Sequence, residues 1–339
     1  MPVPLGSLAK IAWEQESSYG TMPTTIQKSL PFISESIKTT IETARVDVIM
    51  ATRSRLPNFE PLARMSVSGD IEFPFYIPSI SADDPFVALM KACMGSVEVT
   101  TDTSVIWSLA DVLPSLSLFV DRDTRNVSNT KNYFYYAGVK VNQFTITGEE
   151  NGIIRLRVSV AGQREEVSTS GQTITIPTLD TAKFWFSRVY LYDGSEAVNA
   201  KIRSFEITVN HNLTTDRYFN NVLEVASSGS VSAKEKVAVL VDLPEGRREV
   251  TGRLELYFDN TRWYEKFLTG SLFKVEIIAA GQYISTGTWY AKIELPKVMA
   301  TGETPNVSGP NPLNFSMSFT AYQDTSSNDE LRISILKQS

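Results

Sequence analysis

The chain has 339 residues, of which 42% are hydrophobic and 21% charged, with a formal net charge of −6. This length accommodates two ordinary domains, and the composition excludes a mainly disordered chain and a duplex binder driven by excess positive charge. A single cysteine, Cys93, and a single histidine, His211, exclude an internal disulfide and a Cys/His zinc site, so a reducing compartment is expected.

Residues 1–31 carry Pro2, Pro4, Gly6, Gly20, Pro23 and Pro31 without sustained periodicity, yet include Ile11, Trp13, Tyr19 and Met22. Too irregular for a core strand and too apolar for a free tail, this segment is expected to be an N-terminal arm docked on a neighbouring subunit. Trp13 and Tyr19 are its expected anchors, because large aromatics dominate interface energetics. It has no charged start followed by an apolar run, and no stretch approaches the roughly 20 apolar residues of a membrane span. A soluble protein made in a cytoplasm, without a membrane span, is the expectation.

From Ile33 onward, period-two alternation dominates. In 33–48, Ile37, Thr39, Ile41 and Thr43 oppose Ser36, Lys38, Thr40 and Glu42; in 65–75, Val67, Ile71 and Phe73 oppose Ser68, Asp70 and Glu72. Such alternation marks half-buried antiparallel strands. Further strands are expected at 133–147, 153–160, 188–192, 202–210, 248–257, 273–279, 288–298 and 314–322. One helix is expected over Asp84–Met94, with Asp84 as N-cap, Pro85 at the first position and Gly95 as the stop; a shorter one runs Thr261–Thr269 and stops at Gly270.

Four segments recur in the same order. Val67-Ser-Gly-Asp-Ile-Glu-Phe73 matches Val250-Thr-Gly-Arg-Leu-Glu-Leu256, and each is followed by a helix ending in Gly-Ser. Tyr135–Glu149 matches Trp289–Glu303 without a gap through Tyr-Ala and Thr-Gly-Glu, and Ser159–Gln163 matches Phe319–Gln323. A tandem duplication is expected, with an arm at 1–31, a first domain at 32–178 and a second at 179–339. The first carries about 20 extra residues around 100–131, judged from the longer spacing between helix and Tyr-Ala strand.

Catalytic chemistry finds little support. His211, in Val-Asn-His-Asn-Leu, is expected to be a surface or turn residue, and Cys93 an inert core thiol. Glu72 and Glu255 occupy equivalent repeat positions, but without a sugar-binding aromatic platform they do not make a glycosidase pair. Phosphate-binding glycine loops are missing. The basic clusters Arg155-Leu-Arg157 and Arg247-Arg248 are expected on solvated strand faces. No enzyme and no cofactor are expected.

The opening Ala12-Trp-Glu-Gln-Glu-Ser-Ser-Tyr-Gly-Thr21 resembles the start of phage tail tube proteins, in which an acidic residue precedes an aromatic-Gly-Thr turn. Ser34-Glu-Ser-Ile37, the Val-Ser-Gly-x-Ile-Glu strand, the helix after it and Arg203-Ser-Phe-Glu-Ile-Thr-Val209 extend the resemblance over nearly the whole chain. It implies an all-β protein of two tandem β-sandwich or barrel-like domains, each flanked by a short helix. It further implies a homotrimeric, pseudo-sixfold ring that stacks into a tube in the virion tail. DNA would pass through the lumen without specific binding, and tape-measure, tail terminator and baseplate or distal tail proteins would be partners. Six domains giving four strands each make a barrel of backbone diameter about 48 Å at a tilt of about 40°, with a bore of about 38 Å. The polar sides of the repeat strands then face the bore: Thr40, Glu42, Ser68, Asp70 and Glu72, and Glu206, Thr208, Thr251, Arg253 and Glu255. Carboxylates there would repel phosphates, with Arg253 paired to a neighbouring carboxylate. The alternatives are another β-rich virion or tube-like component (a tail terminator, a baseplate hub, a secretion tube) and a β-sandwich adhesin or binding module.

Overall fold

A computed structural model describes residues 5–49, 54, 62–78, 81–100, 103–125, 129–184, 187–219, 223–225, 231–233, 237–257, 261–280, 289–302 and 314–337. Thr288 and Glu303, at the ends of an expected strand and of a repeat, lie outside them. The fold is all-β. Its main elements begin with β1 (Lys10–Gln15), β2 (Lys28–Ser29), β3 (Lys38–Thr43), β4 (Leu62–Pro74) and α1 (Pro85–Met94). Next come β5 (Gly95–Thr100), β6 (Ser104–Leu109), β7 (Leu116–Asp121), β8 (Tyr133–Glu149), β9 (Arg155–Gly162) and β10 (Arg164–Ser168). The second half has β11 (Arg188–Asp193), β12 (Glu196–Ala200), β13 (Ile202–Asn210), β14 (Glu249–Tyr257) and α2 (Arg262–Thr269). It closes with β15 (Leu272–Ala280), β16 (Trp289–Gly302), β17 (Asn314–Tyr322) and β18 (Arg332–Lys337).

Both helices form where their end signals place them. Asp84 Oδ1 accepts hydrogen bonds from the amides of Phe86 (2.8 Å) and Val87 (3.4 Å), and Gly95 takes the positive φ of 88° that ends α1. Gly270, at φ 61°, ends α2 in the same way. Phe86 of α1 packs edge-on against Phe75 and Trp107 at ring separations of 5.1 and 6.4 Å, joining the helix to the core.

One antiparallel sheet runs β3-β4-β9-β8-β13-β14-β17-β16. Each long strand serves two sheets: β8 pairs β7 and β10 through its first residues and β9 and β13 through its last. β16 does the same with β15 and β18, then β17. The second layers thus run β2-β1-β7-β8-β10 and β12-β11-β15-β16-β18-β6-β5. Apolar side chains fill the space between layers, where Trp13 of β1 meets Phe73 of β4 edge-on at 5.8 Å.

The pairings β1–β2, β1–β7, β3–β4, β4–β9, β8–β9, β8–β10 and β7–β8 have second-half counterparts in β11–β12, β11–β15, β13–β14, β14–β17, β16–β17, β16–β18 and β15–β16. The first-half surplus expected around 100–131 falls there only in part: β7 has a counterpart in β15, and of the main described elements the hairpin strands β5 and β6 have none. That hairpin pairs with β18 of the second half and buries Trp107, whose Nε1 donates to Val87 O at 3.3 Å. The glycine shared by the first repeat marks close approach: a Cβ on Gly69 would sit 2.5 Å from Ile37 Cα, and one on Gly252 2.2 Å from the Phe319 ring.

Strand register also corrects two repeat matches. With Gly69 opposite Val160 and Gly252 opposite Phe319, it is Val160, not Ser159, that stands where Phe319 does. Likewise β8 passes from β10 to β9 between Ala137 and Lys140, and β16 from β18 to β17 between Glu294 and Lys297. By register, Lys140 faces Ala161 and Met299 faces Thr320, the counterpart of Ala161, so Lys140 corresponds to Met299, not to Glu294 as the gapless match has it. Alternation makes neighbouring strand positions look alike, and a bulge between Val141 and Gln143 shifts the phase.

The expected arm is corrected for the paired stretch. Residues 10–15 and 28–29 are strands of the first half, and Trp13 is 1% exposed, because the apolar residues that break the expected pattern serve the chain's own core. Trp13→Ala is therefore expected to cost about 3–5 kcal/mol of stability in urea unfolding. Removal of residues 2–22 should unfold the first half; soluble, folded protein from that deletion would restore the arm.

Candidate functional site

In the sheet from β3 to β16 the residues alternate between two environments. Ile71, Val158, Phe144, Val209, Val250 and Leu254 point into the core, and the residues between them form a polar face. Cross-strand partners share a face, so register resolves this face into rows. One row runs Ser34, Glu72, Arg157, Thr145, Thr208, Thr251, Thr320. The next runs Arg155, Thr147, Glu206, Arg253, Ser318, Thr301, followed by Glu149, Ser204, Glu255 and Ser316. The face is hollowed: Asp70, Glu72, Gln143, Thr145, Arg157 and Glu206 line one open concavity.

All ten of the polar residues expected on this side lie on these strands, but they do not form one cluster. Thr40, Glu42 and Ser68 sit at the β3 end, opposite Ser66, Arg64 and Lys38, with Glu42 bonded to Arg64 at 2.6 Å. Asp70 and Glu72 sit on β4; Glu206, Thr208, Thr251, Arg253 and Glu255 sit on β13 and β14. Sequence reasoning placed Arg155 and Arg157 on an ordinary solvated face and left out Thr145, Thr147 and Glu149. Period two in 153–160 held the signal, but only the register shows that β9 and the end of β8 lie between the two repeat strands.

Those arginines change the electrostatics. Arg157 bonds Asp70, and Arg155 bonds Glu72 at 3.1 Å. Burial pushes the Asp70 carboxyl up, but the hydrogen bonds from Arg157 and Ser159 outweigh it and hold the group below its usual range. The face is thus a mosaic of opposed charges and hydroxyls, not a uniformly acidic wall. Thr145 and Thr208 bridge the two halves through their hydroxyls at 3.0 Å, and Ser204 donates to Glu255 at 3.3 Å. Arg253 lies across from Glu206, yet its Nε donates to Ser316 Oγ at 2.8 Å, which corrects the expected carboxylate partner.

The remaining singled-out residues lie elsewhere. Tyr19 is half-buried against the apolar group of Leu113, Ala161, Leu213, Leu240 and Leu243 within the chain, and its hydroxyl is buried without a hydrogen-bond partner among the described residues. His211, expected at the surface, is 3% exposed: its Nε2 donates to the Cys93 carbonyl at 2.8 Å, tying β13 to the end of α1. Burial pushes the Cys93 thiol up. Among the described residues, no group of three or more His, Cys, Asp or Glu could hold a metal ion, and no helix is long and apolar enough to cross a membrane.

Burial, with Arg248 nearby and against the Cys93 bond and Glu245, lowers the His211 pKa to about 4 from 6.5. Between those values the unfolded chain binds the proton and the folded chain does not. Stability should therefore fall as pH drops from about 6.5 to about 4, by about 3 kcal/mol from this group. His211→Gln should show a shallower slope over that window in denaturant titrations; equal slopes would show that His211 is not the group responsible.

A family model described as phage tail tube protein matches residues 6–321. No curated protein matches. Among solved structures, a conserved protein of unknown function with a hot dog fold from Alicyclobacillus acidocaldarius is 12% identical, covering 80% of this chain and 93% of its own, at a TM-score of 0.12. A similarity that low carries no argument about fold.

Proposed function

The chain belongs to the phage tail tube protein family, and on that premise we propose that three copies close into a ring, that rings stack into the tube, and that the mosaic polar face lines the channel for viral DNA. Membership in the family makes the protein a structural component of the phage tail that self-assembles into a tube. On the proposed reading, the two halves are tandem tube domains, each supplying four strands to the inner wall. Tape-measure, terminator and baseplate or distal tail proteins are its partners at the lumen and the tube ends.

The observation that carries this reading is the sheet β3-β4-β9-β8-β13-β14-β17-β16, apolar on one face and polar and hollowed on the other. A hollowed polar face is what a curved wall turns toward a water-filled bore. Its charges suit transit: Arg155 and Arg157 are held by Glu72 and Asp70, so they are not free to collect phosphates. Glu149, Glu206 and Glu255 add negative charge along the same face. A duplex that met unpaired cations would displace counterions and bind. The field of this wall extends only about 8 Å at physiological ionic strength, so it acts on the DNA backbone nearest the wall.

Electron micrographs of the purified protein should show rings or tubes; uniformly monomeric protein would refute the assembly. Cysteines replacing Glu206 and Glu255 should, in assembled tubes, resist a thiol reagent too bulky to enter the bore, and free reaction would place this face outside. Phage carrying Glu72→Lys with Glu255→Lys should assemble tails but eject DNA more slowly.

A further inference from the structure

The chain contains one junction between its own halves, and the register of that junction can be carried to its outer ends. Inside the chain, the end of β8 pairs with β13: Gln143 faces Asn210 and Phe144 faces Val209. At one outer end, β3 pairs with β4, and among the described residues no strand lies on its other side. Lys38 and Thr40 to Thr43 are exposed there, with Ile41 46% exposed. At the other end, β15 leaves β16 at Met299, and among the described residues Thr301 and Gly302 pair on one side only, with β17.

The two halves supply the rule that joins these ends. Val67 faces Thr39 and Val250 faces Val209, so Thr39 stands where Val209 stands, and Thr40 where Asn210 stands. Phe144 reaches Ile71 through Val158, and Gly302 reaches Leu254, the repeat counterpart of Ile71, through Met317; so Gly302 stands where Phe144 stands, and Thr301 where Gln143 stands. We infer that the last residues of β16 pair antiparallel with β3 of a second copy of this chain, Thr301 opposite Thr40 and Gly302 opposite Thr39. The inference rests on the ring reading above and specifies its interface.

The same register fixes the slant of the wall. A row starting at Ile71 crosses Val158, Phe144 and Val209 and arrives at Val250, four residues before Leu254 (254 − 250 = 4). Each set of four strands therefore staggers by four residues. At about 3.3 Å per residue and 4.8 Å per strand this is a tilt of about 35°, within the range of closed barrels. Six such sets close at a backbone diameter of about 45 Å, a little narrower than the sequence alone suggested.

Directly opposed residues lie about 4.5–5.5 Å apart at Cα, within disulfide range. Thr301→Cys with Thr40→Cys should, on mild oxidation of assembled rings, give covalent dimers and trimers with three chains as the closed product; Cys93, fully buried, stays out of the reaction. Thr301→Cys with Lys38→Cys or with Glu42→Cys, shifted along the same face, should cross-link far less. Stronger cross-linking in a shifted pair, or none in any pair although rings are visible, overturns the register. A ladder reaching six chains overturns closure by three, and absence of rings in the wild type overturns the functional reading itself. In the unsubstituted protein, ring formation should slow hydrogen exchange across 38–43 and 301–302; unchanged exchange in visible rings also counts against the register.

Discussion

The hydrogen-bonded ladder between the end of β8 and β13 is the constraint on which the rest of the molecule depends. A strand edge left open offers unpaired amides and carbonyls to any passing chain. Here the last strand of one half is closed by the first wall strand of the next. At that ladder Gly148 leaves room for an aromatic side chain: an added Cβ would sit 2.4 Å from the Phe205 ring. The bulge at Val141/Gln143 lies just ahead of it, where β8 turns from one layer into the other. Two halves with the same pairings are thereby held in one sheet, not tethered by a linker.

The hairpin β5–β6 reinforces that union from the other layer. It belongs to the first half by sequence, yet its strand β6 extends the sheet of the second half through β18. Among the described residues it has no second-half counterpart, and the corresponding edge of β10 is different in character: Arg164, Glu165 and Glu166 stand there, and Val167 is 56% exposed. Charged residues at an edge disfavour unplanned pairing. His211, buried against the Cys93 carbonyl, and Lys140 with Glu245 at 2.7 Å are further ties across the halves.

The polar face shows how a wall can be charged without being adhesive. Arg155 and Arg157 each bond a carboxylate on the neighbouring strand, while Arg253 bonds Ser316; partly exposed ion pairs add little stability, of order 1 kcal/mol or less. Their effect is on the field: each pairing removes a cation that could hold a phosphate. Between the charged stretches, Thr145, Thr208, Thr251 and Thr320 form a neutral hydroxyl row.

By itself the sequence determined the all-β character, both helices with their caps, most of the long strands and the recurrence of Val-x-Gly-x-(Ile/Leu)-Glu. These are local properties, set by alternation and by residues such as Asp84, Gly95 and Gly270 whose conformational preferences act over a few positions. It also determined that Asp70, Glu72, Glu206 and Thr251 lie on the side away from the core, because one apolar side leaves the other polar. Only the tertiary structure decided that Arg155 and Arg157 sit beside Asp70 and Glu72, that residues 10–15 are a core strand and that His211 is buried. Each of these depends on which strands become neighbours and in what register. A strand pattern of period two looks nearly the same after a shift of two or four residues, so the choice among registers is made by long-range pairing and close packing.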